Sequence, residues 1–71
     1  MNLSARQLGW DEDIGQFKRR AMVLKGCHNR PLKAAKVMQK TAKRGGSNET
    51  RRKANTDANY FFRLYERSKG R

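Results

Sequence analysis

Apolar residues return along this chain at spacings of three and four, and the runs are broken twice by glycine. Trp10, Ile14, Phe17, Ala21 and Leu24 follow one another at four, three, four and three. That spacing puts them on one face at 3.6 residues per turn and predicts a helix over about 11–25. Asp11 is the candidate N-cap, with Glu12 and Asp13 in a first turn where negative charge suits the helix dipole. Lys25 falls in the last turn, and Gly26 suits the left-handed position just past it.

A second helix is predicted over 31–44. Pro31 fits a first helical position, where its missing N–H costs nothing. Either Arg30 or Asn29 then occupies the N-cap. Ala34, Ala35, Met38 and Ala42 share one face, with Leu32 at its edge and Val37 breaking the pattern beside the opposite one. Gly45-Gly46 closes this helix. A third is predicted over 48–68, capped by Ser47 or Asn48, with Glu49 in its first turn and Gly70 past its end. Ala54, Ala58, Phe61 and Tyr65 form its stripe, widened by Phe62. Phe61 and Tyr65 are expected to pack on Phe17, Ile14 and Trp10. No segment alternates as a strand does. The reading is a single all-α domain over 1–71, three short helices with a minimal core, extended or dependent on a partner, and residues 1–9 as a flexible arm.

Composition sharpens this. Ile, Leu, Val and Phe total eleven of 71 residues, while the formal net charge is +12. That apolar share, about 15%, lies under the roughly 20% at which high charge usually prevents independent folding. Cys27 is alone, so no intrachain disulfide compensates. Cys27-His28 supplies two of the roughly four ligands that zinc needs, so no metal or other cofactor is expected. No apolar run approaches a membrane span, and no catalytic constellation is visible, so neither a membrane protein nor an enzyme is expected.

The charge is unevenly placed. Between Lys18 and Lys53 stand thirteen basic residues and one acid, Glu49. On the second helix Lys33, Lys36, Lys40, Lys43 and Arg44 fall within an arc of roughly 100° at 3.6 residues per turn. A solvated helix face usually mixes signs, and this one holds no acid. Lysines there suit a phosphate-tracking surface. Two triplets, Lys18-Arg19-Arg20 and Arg51-Arg52-Lys53, point several ways from their helices, as suits a protein enclosed by folded RNA. Arg63 and Arg67 project from the third helix with Tyr60 among them, a candidate for base stacking.

Phe17-Lys18-Arg19-Arg20 with Gly26, and Glu49-Thr50-Arg51-Arg52-Lys53-Ala54 opening a basic helix, resemble the family of the twenty-first small-subunit ribosomal protein of bacteria. These segments cover about a quarter of the chain. Between them the family carries an Arg-rich stretch and a Tyr-Glu-Lys-Pro element, where this chain has Asn29-Arg30-Pro31-Leu32-Lys33 and a lysine helix. The resemblance implies a small, basic, all-helical ribosomal protein. The leading expectation is therefore a structural RNA-binding protein that neutralises and bridges rRNA phosphates beside neighbouring ribosomal proteins. It would act in the cytoplasm on ribosomes, or on an organellar ribosome. Two alternatives stand beside it. One is a helix-turn-helix DNA-binding protein reading bases with Asn48, Arg51, Arg52 and Asn55. The other is a phage-type small protein docking on a host machine through Phe61, Phe62, Leu64 and Tyr65.

Overall fold

Cap and turn residues set the helix ends. In the computed structural model, which describes residues 4–44 and 46–69, a 3-10 turn at Arg6–Leu8 precedes three α-helices. They are α1 (Gln16–Gly26), α2 (Pro31–Arg44) and α3 (Asn48–Lys69). Gly45 and Gly70 lie outside the described residues, as do residues 1–3 of the expected arm. Residues 4–9 form the 3-10 turn and its flanks, with Ala5 buried.

The two capping choices left open resolve simply. The Arg30 carbonyl accepts the Ala34 amide at 3.1 Å, so Arg30 starts α2 by its backbone alone. Ser47 starts α3: its Oγ accepts the Thr50 amide at 3.1 Å and its carbonyl the Arg51 amide at 3.1 Å. This satisfies donors that every helix N-terminus leaves unpaired.

α1 departs from expectation at both ends. It begins at Gln16, because Asp11 caps a turn instead: Asp11 Oδ1 accepts the Asp13 amide at 2.9 Å and its carbonyl the Ile14 amide at 3.1 Å. Aspartate favours this local turn over helix. Gly15, extended at φ −56° and ψ 146°, is the actual N-cap. At the other end Gly26 is still helical. The left-handed residue is His28 (φ 56°), followed by Asn29 (φ 57°). The Asn29 amide reaches the Leu24 carbonyl at 2.8 Å and the His28 amide that of Lys25 at 3.1 Å, a Schellman closure. Gly26 serves a different need. A Cβ there would stand 2.4 Å from Cδ2 of Leu8, so the missing side chain lets the N-terminal turn lie on α1.

A left-handed L-residue is strained, and glycine is not. His28→Gly is therefore expected to stabilise the fold by roughly 0.5–1 kcal/mol, read as a higher urea midpoint. An unchanged or lower midpoint would show that the His28 side chain holds the turn by contacts that outweigh this strain.

α2 and α3 pack along their lengths as an antiparallel hairpin. Leu32, near the start of α2, shares a groove with Phe62, Tyr65 and Lys69 near the end of α3, while Thr41 and Arg44 share another with Thr50. The seam is built from small residues. Ala34, Ala35, Ala42, Ala54 and Ala58 are all buried, with Met38 and Phe61 as the large members. Alanines let two helices approach closely, so few bulky side chains are needed to fill the space between them. Val23 from α1 and Cys27 just past its end, together with Trp10, complete the core, and Val37 belongs to it as well. Burial pushes the Cys27 thiol up from its ordinary value, with Lys33 pulling weakly the other way.

Two expectations fail here. The chain is not extended: its radius of gyration is 11.2 Å, close to the roughly 11 Å of a compact domain of this length. The Ile14–Phe17–Ala21–Leu24 stripe is not the buried face of α1. Phe17 is 80% exposed, Ala21 is exposed and Leu24 half-buried. With the helix starting at Gln16, the side facing the core carries Arg19 and Val23, followed by Cys27 just past its end.

Candidate nucleic-acid interface

The cations sort into an interior set and a surface set, and Asp57 decides which is which. Asp57 lies three residues after Ala54, one before Ala58 and four before Phe61, so its helical position points it into the core, where it is fully buried. Its Oδ2 accepts Trp10 Nε1 at 2.8 Å and Arg19 Nε at 3.1 Å, and its Oδ1 accepts Arg20 Nε at 2.9 Å and Arg19 Nη2 at 3.4 Å. Arg19 Nη1 donates to the Ile14 carbonyl at 2.8 Å. The Arg19 guanidinium lies 5.8 Å from the Trp10 ring centre, and that of Arg20 4.3 Å from the Tyr60 ring centre. No buried side-chain nitrogen or oxygen among the described residues lacks a partner.

This corrects the reading of the first triplet. Arg19 is 5% exposed and belongs to the core. The Arg20 side chain is 13% exposed and committed to Asp57. Lys18 remains at the surface. In the second triplet Arg51 and Arg52 are exposed, whereas Lys53 is drawn inward. Its Nζ pairs with Glu49 Oε1 at 3.1 Å and donates to the Glu12 carbonyl at 3.0 Å. Arg51 Nη2 donates to Asn48 Oδ1 at 2.6 Å.

The surface cations form two faces. On α2, Lys33, Lys36, Lys40, Lys43 and Arg44 are all exposed and lie opposite the buried Ala35, Met38 and Ala42. They extend over roughly 16 Å of helix at 1.5 Å per residue. On α3, Arg52, Arg63 and Arg67 are exposed and project opposite Ala54, Ala58 and Phe61. Tyr60 is 40% exposed at the edge of that second face, next to α1. Lys25, Arg30 and Lys69, which the charge pattern alone did not single out, are exposed too.

Three of the acids face inward or pair locally. Asp57 is buried, Glu49 pairs with Lys53, and the Glu12 carboxylate accepts the Thr50 hydroxyl. Comparison with protein families, with curated proteins and with solved structures finds no match to this chain. The site therefore rests on its own chemistry.

Among the described residues no group of three or more His, Cys, Asp or Glu is placed to hold a metal ion, and no helix is long and apolar enough to cross a membrane. Two cationic faces on a rigid hairpin can each neutralise a run of phosphates. The exposed Phe17 went unrecognised, because its spacing matched a core stripe. The available signal was Asp57: an aspartate within an apolar helical stripe calls for buried donors, and Arg19 is the donor that turns Phe17 outward.

Proposed function

We propose that this protein is a structural RNA-binding protein, a ribosomal component that neutralises and bridges rRNA phosphates. The observation that carries this is the α2 face, five exposed cations without an acid among them. Lysine and arginine at such spacing repel one another until a polyanion is bound, and release of its counterions then supplies affinity without sequence preference. The second cationic face, on α3, supports bridging over a single contact. A protein with cations on the outer sides of both hairpin helices fits between two RNA segments. The resemblance of Phe17–Arg20 and Glu49–Ala54 to a small ribosomal protein family supports the same reading.

The lengthwise α2–α3 packing weighs against the helix-turn-helix alternative, whose two helices cross at roughly 90–120°.

The test is sedimentation of tagged protein in a lysate at moderate salt, with and without ribonuclease. Comigration with one ribosomal subunit, lost on RNA digestion, is the expected result. Sedimentation with DNA, or with a protein assembly that survives both nuclease and high salt, would overturn the reading.

A further inference from the structure

Between α1 and α3 lies a groove of about 190 Å³ lined by Phe17, Arg20, Ala21, Leu24, Tyr60 and Phe61. It is smaller than the roughly 300–1,000 Å³ of sites for drug-sized ligands and is of the order of one flat ring system. Three of its six lining residues are aromatic. Phe17 stands in the first turn of α1, 80% exposed, and Tyr60 is 40% exposed. Ala21, one turn beyond Phe17, has too small a side chain to fill the space between them.

One wall is held in place. Asp57 fixes Arg20 through Nε at 2.9 Å, and the Arg20 guanidinium lies 4.3 Å from the Tyr60 ring centre. Tyr60 in turn meets Phe61 edge-on, with centroids 5.4 Å apart. Phe61 is fully buried. The Arg20–Tyr60 pair is thus anchored to the core from both sides, and little freedom is left to lose when a ligand arrives. Around the groove stand exposed cations. Lys18 adjoins Phe17, Arg63 is one turn beyond Tyr60, and Arg67 lines the adjoining hollow with Leu24 and Leu64.

Aromatic faces supported by arginine and rimmed by cations match the chemistry of an unpaired nucleotide, whose base stacks while its flanking phosphates pair. We propose that this groove is a stacking site for an unpaired base, so that the protein engages single-stranded or looped RNA there and not only the backbone of a duplex. This rests on the RNA-binding reading above. It adds a site that the lysine face neither contains nor requires.

The test compares an unstructured RNA strand with a blunt RNA duplex of equal charge. It uses wild type, Phe17→Ala, Phe17→Trp and the double variant Lys33→Gln/Lys36→Gln. Phe17 is too exposed for its loss to disturb the core, and thermal melting of the variant, expected to match wild type, is the control for this. Phe17→Ala is expected to weaken strand binding about tenfold with the salt slope unchanged. It should leave duplex binding within about twofold. Phe17→Trp should restore strand affinity, while the lysine variant should weaken both RNAs and lower the salt slope. If wild type binds neither RNA, the RNA-binding reading falls and the stacking site with it. If the lysine variant behaves as stated but Phe17→Ala leaves strand affinity intact, or weakens both RNAs alike, the stacking site alone is overturned.

Discussion

Asp57→Ala is expected to unfold the protein at room temperature. Asp57 is fully buried and accepts hydrogen bonds from Trp10, Arg19 and Arg20. Removing it leaves the Arg19 guanidinium, 5% exposed, in the core without its carboxylate. Removing one partner of a buried ion pair costs about 3–5 kcal/mol. The core of a domain this small rarely supplies more than ~3–5 kcal/mol in total, so the loss equals the margin. The far-UV helical signal should collapse, and Cys27, with no accessible surface in the folded chain, should react with a thiol reagent at the rate of a free peptide. Asp57→Asn keeps the shape and an acceptor oxygen, and should lie between the two. A melt for Asp57→Ala indistinguishable from wild type would show that the network adds nothing net to stability.

The second large effect concerns the α2 face. Replacing Lys33, Lys36 and Lys43 together by glutamine should leave the melting temperature unchanged or slightly raised, since all three are exposed in a strongly cationic chain. RNA affinity should fall by roughly tenfold per lysine at low salt. The log–log dependence of affinity on salt should become shallower by about 2–3, on the basis of roughly 0.7–0.9 per phosphate contact. The slope separates contact from long-range attraction. Loss of affinity with the slope unchanged would mean that these lysines do not meet phosphates, and the cationic contact would then have to lie on α3.

Much of the fold was legible in the sequence because local signals agreed. Pro31 and Ser47 mark helix starts, the glycines mark the break, and the alanine and lysine spacings fix which faces of α2 point in and out. What was not legible depends on polar groups in the interior. Hydropathy counts Arg19 and Asp57 as surface residues, so the stripe through Phe17 looked like the buried face of α1. Once the two pair, α1 turns and Phe17 is left outside. The low share of Ile, Leu, Val and Phe does not show how the core is filled. Six of the twelve buried hydrophobic residues are alanine, and small side chains fill a core by proximity and not by bulk. Of the candidate site, the α2 face was legible because it follows from spacing alone. The sorting of Arg19 and Arg20 away from the surface was not, because it depends on Asp57, 38 and 37 residues distant in sequence, and Lys53 is drawn inward by the Glu12 backbone carbonyl, 41 residues distant.

Those separations also order the assembly of the chain. The α2–α3 hairpin closes across a turn of a few residues, so its alanine seam forms at low loop-closure cost. The Asp57 node joins residues 37 to 47 positions apart and has to wait until α1 and Trp10 are carried back onto the hairpin. Contacts of such long range carry a larger loop-closure cost and are expected to form after the local ones. The node is therefore expected to act as a latch set after the hairpin exists. Mutations that weaken it should then speed unfolding much more than they slow folding, as a chevron plot would show.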